Sequence, residues 1–260
     1  MKKRIISAIV LLCITIPLVL LGNKFFLLGI GLIGVMTYYE IIRLKDYPTS
    51  IKVLSFISYL IIIFNNYNSN LIVNSFDYRL LALSMLITIV PAIFYQTSKK
   101  YTVSDALYLY GFLLLVGLGL NFLLIIRNYS LYYFILLMLI PIFNDTFAYF
   151  GGTLIGKHKV TAISPKKTWE GCITGLVVST ILSSIYYIYF IGSSLNVGKI
   201  LIIILISISG MLGDLFFSAI KRNYNIKDFS NLIPGHGGIL DRLDSIIFVS
   251  YLFIIFIEYL

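Results

Sequence analysis

Apolar residues run almost unbroken through nine stretches of the chain, about 5–22, 25–43, 51–65, 78–96, 103–126, 131–152, 170–191, 199–217 and 243–260, separated by short segments where charges and turn residues collect. A run of roughly 18 or more apolar residues is enough to cross a hydrocarbon core ~30 Å thick. Inside lipid the backbone has to satisfy its own hydrogen bonds, which leaves helices or a closed barrel. Barrel strands would alternate in polarity over about ten residues, and these runs do not alternate. The pattern predicts an all-α, polytopic membrane bundle of about nine transmembrane helices. The third span is the shortest and is ringed by Asn65, Asn66, Asn68 and Asn70.

Composition excludes a soluble globular protein. The 260 residues are 59% hydrophobic and only 12% charged, with mean hydropathy +0.97, against about 45–50% apolar and about 25% charged for soluble domains. Met1-Lys2-Lys3-Arg4 ahead of an apolar run looks like a signal peptide. No small-residue cleavage motif follows it and many more spans do, so it reads as an uncleaved first helix. Cys13 and Cys172 fall in or at the edge of spans with no CxxC or metal spacing, and read as inert buried thiols. No repeat, low-complexity tract or soluble domain is visible. Residues 1–260 form one membrane domain, with 1–130 a hydrophobic scaffold half and 131–260 the half that carries the chemistry.

The net charge of +9 is distributed unevenly. With the N-terminus placed in the cytoplasm, only Lys24, Arg79, Arg127 and Lys199 of the 20 basic residues fall on the outer side. This bias follows the positive-inside rule and predicts N-terminus inside, C-terminus outside. Topogenesis accounts for most of these charges. The same surface would gather anionic lipid headgroups at about 1 kcal/mol per Lys or Arg, and nothing suggests nucleic acid as a partner.

Three polar constellations interrupt the apolar pattern. The first is Asn144-Asp145, following Pro141 in the sixth span. Counted from Leu131 at ~1.5 Å per residue, Asp145 lies roughly 20 Å along the helix, sharing a face with Tyr149 and Gly152. The proline would loosen the helix and free a carbonyl beside the carboxylate. An intramembrane carboxylate is either a structural contact or a functional group, and its cost favours function. The second is the basic loop Gly156-Lys157-His158-Lys159 through Ser164-Pro165-Lys166-Lys167-Thr168-Trp169-Glu170-Gly171. Ser164, Pro165 and Glu170 mark a helix start, and Trp169 suits the membrane interface. Lys166 and Lys167 are either a phosphate clamp at a helix N-terminus or part of an ordinary cytoplasmic loop. His158 reads as a surface residue rather than a ligand.

The third runs from Asp214 to Asp244. Asp214, Ser218, Lys221 and Arg222 share one helical face, and so do Asp241 and Asp244. By helical rise, Asp214 lies ~22 Å inward from Lys199, matching Asp145 in depth. Asp145, Asp214, Asp241 and Asp244 can therefore meet at one level near the cytoplasmic surface. Carboxylates so close repel unless a hard cation sits between them, and oxygen ligands with open positions suit magnesium. Lys221, Arg222 and Lys227 would neutralise phosphates, and the turn Pro234-Gly235-His236-Gly237-Gly238 can bring backbone N–H groups to a phosphate chain. His236 is either a general acid or base, or a hydrogen-bonding residue of the turn. A salt-bridged cytoplasmic loop is the plain alternative, and the density of the cluster argues against it. Together these groups describe phosphoryl or nucleotidyl transfer, without the GxxxxGK[ST] loop of a P-loop enzyme.

The stretch from Ser218 through Lys221-Arg222, Lys227-Asp228, Ser230, Ile233-Pro234 and His236-Gly237-Gly238-Ile239 to Asp241-Arg242-Leu243-Asp244 resembles the signature of the phosphatidate cytidylyltransferase (CDP-diacylglycerol synthase) family. The blocks around Asn144-Asp145, Gly156–Lys159, Ser164–Gly171 and Gly213-Asp214 are similar to that family as well. The resemblance covers residues 141–244; the first 130 match only as a hydrophobic scaffold. Phe217 departs from it, since many members carry an acidic residue there.

The resemblance implies that a phosphatidate oxygen attacks the α-phosphorus of CTP in line, giving CDP-diacylglycerol and pyrophosphate with no covalent enzyme intermediate. By position it implies Asp214 and Asp241 as magnesium ligands with Asp244 beside them. Lys221, Arg222 and Lys227 would hold phosphates, and Asp145 and Lys167 would complete the cavity. Asp228 and His236 join the catalytic candidates, and Lys166, Ser218, Gly237, Gly238 and Arg242 the cofactor-binding ones. A monovalent cation such as potassium beside magnesium, and a homodimer, are also implied. CTP would arrive from the cytoplasm and phosphatidate from the inner leaflet. The compact chain, with no N-terminal extension, points to a bacterial inner membrane. The alternatives are a CTP-dependent lipid-alcohol kinase, less well matched by the segment from His236 to Asp244, and a secondary transporter. A transporter would place its site near the midplane, often between inverted repeats, and neither feature is present.

Overall fold

The computed structural model describes residues 2–65, 77–95, 97–161, 163–192, 194–235 and 237–260; Asn66, Asn68, Asn70 and His236 lie outside the described residues. Each of the nine predicted spans has a helical counterpart, and among the described residues strand-like pairing is limited to two isolated bridges. Among the described residues, six helical stretches are long and apolar enough to cross a membrane, counting 78–95 as one. Large apolar side chains such as Leu28, Leu32, Ile93 and Leu154 are exposed along these helices, as a lipid-facing surface requires. Cys13 belongs to that exterior: it is exposed rather than buried, and Cys172 is half-buried, both free thiols.

The chain forms two compact units, Met1–Tyr129 with Phe229–Leu240, and Ser130–Asp228 with Asp241–Leu260. The first contains α1 (Lys2–Leu21), α2 (Asn23–Ile42), α3 (Thr49–Ile63), α4 (Tyr78–Ile89), α5 (Ala92–Tyr95) and α6 (Val103–Tyr129). The span expected over 78–96 is divided into α4 and α5 at Pro91. Proline has no N–H for the ladder and its ring clashes with the preceding turn. α6 is the centre of this unit, with Leu113, Val116 and Leu120 fully buried, as are Tyr59 and Ile62 of α3.

Several polar groups inside the unit are paired across helices. Thr37 Oγ1 meets Tyr59 Oη at 2.8 Å, and Asn121 Nδ2 donates to the carbonyls of Ile63 and Asn65, each at 2.8 Å. Such bonds substitute for the hydrophobic drive that lipid removes. The segment 229–240 is held here too: Phe229 packs on Phe112 with ring centroids 6.1 Å apart, and Ser7 Oγ donates to the carbonyl of Pro234 at 3.1 Å.

The second unit contains α7 (Leu131–Ile155), α8 (Trp169–Tyr186, continued by a π turn Tyr187–Ile191), α9 (Val197–Asn223) and α10 (Leu240–Phe256, from Asp241 on). α7 passes Pro141 without a break, and Ser179 of α8 donates to the carbonyl of Ile140 at 2.9 Å. α7 and α8 approach closely because glycines line the contact. A Cβ at Gly175 would lie 2.6 Å from the Asn144 carbonyl oxygen and 2.8 Å from Ala148 Cβ. Gly175→Leu is therefore expected to cost about 1–3 kcal/mol through overpacking. The check is the thermal midpoint in detergent, which should fall; an unchanged midpoint would contradict this packing.

Candidate active site

The end of α9 is where the polar residues gather. Asp214, Ser218 and Lys221 lie on one face of it, with Ser218 Oγ 3.4 Å from Asp214 Oδ1. The helix stops two residues later in a Schellman motif, a doubly bonded helix end: Ile226 N–H donates to the Lys221 carbonyl at 2.9 Å and Asn225 N–H to that of Arg222 at 3.0 Å. Asn225 takes the left-handed conformation, φ 55°, that this ending needs. Lys221 is thereby fixed inside the protein, 8% exposed. A buried ammonium needs a close partner, and its Nζ donates to Asp241 Oδ1 at 2.7 Å, from the first turn of α10.

The basic loop delivers a second pair. It folds back on itself: Val160 N–H donates to the Lys167 carbonyl at 3.0 Å and Trp169 N–H to that of His158 at 2.9 Å. Thr168, rather than Ser164, caps α8, accepting from Gly171 N–H at 3.2 Å. The Glu170 carboxylate clasps the other arm, accepting from the N–H groups of Lys157 and His158 and lying 2.5 Å from His158 Nδ1. His158 is exposed. From this scaffold Lys167 Nζ reaches Asp214 Oδ2 at 2.5 Å.

Asp145, Asp214 and Asp244 are near enough to repel one another as charges, with Lys167 and Lys221 attracting them. The second unit thus assembles Asp145, Lys167, Asp214, Ser218, Lys221, Asp241 and Asp244, four carboxylates to two ammonium groups. Asp214 and Asp241, predicted as metal ligands, each face a lysine. Among the described residues no group of three or more His, Cys, Asp or Glu side chains is arranged to hold a metal ion. The donor chemistry still fits magnesium, which commonly takes one or two carboxylates and leaves its other positions to water and substrate phosphates.

The other predicted residues stand differently. Lys166, Arg222, Lys227, Asp228 and Arg242 are exposed, and Arg222 donates to the carbonyl of Ile226 at 3.0 Å. Gly237 and Gly238 belong to the first unit. There Ile233 N–H donates to the Gly237 carbonyl at 2.9 Å, closing a turn in which Gly235 and Gly237 have φ of 81° and 88°, conformations that glycine adopts without strain. Phe217 is fully buried beside Phe248, so an apolar contact takes the place of the acidic residue that many members carry.

The cytidylyltransferase family model matches residues 2–260. The chain belongs to the cytidylyltransferase family. It is 33% identical to the phosphatidate cytidylyltransferase of Staphylococcus haemolyticus, 32% to that of Staphylococcus saprophyticus and 30% to that of Staphylococcus aureus, over 96% of each chain. The resemblance read from residues 141–244 is borne out, and its extent is corrected: the similarity also runs through the first 130 residues.

That half of this cytidylyltransferase-family chain holds a polar residue that motif reading passed over. Glu40, inside α2, is fully buried and accepts hydrogen bonds from Ser230 Oγ at 2.5 Å and from the N–H groups of Ile239 and Leu240, each at 2.8 Å. The available signal was a lone carboxylate within an apolar span.

Proposed function

We propose that this protein transfers the cytidylyl group of CTP to phosphatidate, forming CDP-diacylglycerol and releasing pyrophosphate. The reading is carried by end-to-end similarity to proteins named phosphatidate cytidylyltransferase. The Asp–Lys cluster is the chemistry such a reaction requires. An oxygen of the phosphatidate phosphate forms a bond to the α-phosphorus of CTP as the bond from that phosphorus to the bridging oxygen breaks, and the β- and γ-phosphates depart as pyrophosphate. A phosphate monoester is already anionic near neutral pH, its second pKa being about 6, so the attacking atom needs no general base. The protein's task is alignment and charge neutralisation.

Lys167 and Lys221, paired with Asp214 and Asp241, would be the ammonium groups that meet phosphate oxygens. Bound magnesium would be held by oxygens of Asp214 and Asp241, with Asp244 beside them, and would supply neutralisation of the phosphate charge. The bias of basic residues toward one side supports a site facing the cytoplasm, where CTP is dissolved and phosphatidate enters from the inner leaflet.

The test uses purified protein, magnesium, phosphatidate, and CTP labelled at either the α- or the γ-phosphate, followed by organic extraction. Label from the α-position alone is expected in the lipid. Transfer of γ-label to a lipid alcohol would replace this reading with a lipid kinase. If neither label moves with either acceptor, the reading fails outright.

A further inference from the structure

Glu40 is a costly residue to keep in α2, since an unpaired carboxylate buried in a membrane helix is strongly unfavourable. It is not unpaired. Both of its oxygens are committed to the glycine-rich segment: Oε1 accepts from Ser230 Oγ and Ile239 N–H, and Oε2 accepts from Leu240 N–H. Leu240 opens α10, so its N–H is one of those that a helix start leaves without an intrahelical acceptor. A carboxylate there also complements the positive end of the helix dipole. The bonds therefore tie down both ends of residues 230–240 and cap the helix whose next residue is Asp241.

A second observation is independent of those bonds. A Cβ at Gly238 would lie 2.5 Å from Glu40 Oε1, so the absence of a side chain at Gly238 is what lets the carboxylate approach. Sequence reading assigned Gly238 to ligand binding; its environment assigns it to Glu40.

We infer that Glu40 is a positioning residue for nucleotide use: it fixes the glycine-rich segment at Ser230 and at Ile239-Leu240, where α10 starts, and so the first-turn carboxylate Asp241. This inference rests on the proposed cytidylyl transfer, in which Asp241 would help to hold the magnesium that neutralises the triphosphate. Glu40→Gln keeps the volume but puts an amide donor against one of the two N–H groups or the Ser230 hydroxyl. The expected result is a KM for CTP raised about tenfold or more, a range typical when a residue that orients ligating groups is lost. KM for phosphatidate should stay near wild type, while the thermal midpoint in detergent should fall modestly because a buried donor loses its acceptor. Gly238→Ala should shift KM for CTP in the same direction. Ser230→Ala, which removes one of the three bonds, should do so less strongly, and it decides the matter if the other two variants do not fold. Unchanged KM for CTP in the folded variants, with or without a lower midpoint, would overturn the inference and leave Glu40 a purely structural residue. A wild-type protein that moves no label from CTP would instead overturn the proposed function.

Discussion

Asp214→Asn is expected to lower kcat/KM for CTP by about a thousandfold or more, equivalent to about 4 kcal/mol of transition-state stabilisation, while the protein remains folded in detergent. The size follows from where Asp214 sits. It binds Lys167 at 2.5 Å, lies next to Ser218, and interacts as a charge with Asp145 and Asp244. Neutralising it takes away an oxygen donor for a cation and releases the ammonium group that it orients. Asp241→Asn should act likewise through Lys221, with some loss of stability as well, because it leaves a buried ammonium without its anion. Steady-state kinetics on protein that elutes as a single species in size-exclusion chromatography is the check. Near-wild-type turnover in Asp214→Asn would sink its place in the site.

Chelation is the second large effect. With EDTA present, cytidylyl transfer is expected to fall below detection, and added magnesium should restore it. Four carboxylates beside two lysines leave an excess of negative charge where a triphosphate and a phosphate monoester would bind, and a divalent cation would offset it. A readout without turnover is available, since a ligand that binds the folded state raises its apparent stability by mass action. Magnesium should raise the thermal midpoint of the wild type, and less so that of Asp214→Asn. Full activity in EDTA would remove the metal from the proposal.

Much of this was readable along the chain because membrane burial writes itself into sequence in a one-dimensional way. The length and apolarity of the nine runs determined an all-helical architecture, since a helix satisfies its backbone within one segment. The helical spacing of Asp214, Ser218 and Lys221 placed them on a common face, and the density of charge from Ser218 to Asp244 pointed to Lys221 and Asp241, which the structure pairs. Local stereochemistry was less legible: Pro91 divides a helix whereas Pro141 does not, and Thr168 rather than Ser164 caps α8.

What only the tertiary structure decided are the pairings between residues far apart in sequence. Nothing in the spacing says that Lys167 belongs to Asp214, that Lys221 belongs to Asp241, or that Lys227 and Arg222 are exposed. Nor does it say that residues 229–240 fold with the first unit, or that Glu40, some 200 positions upstream, holds them. The physical reason is range. Periodicity reports the contacts a residue makes within its own helix, whereas a buried charge is stabilised by whichever opposite charge or N–H the packed helices bring to it.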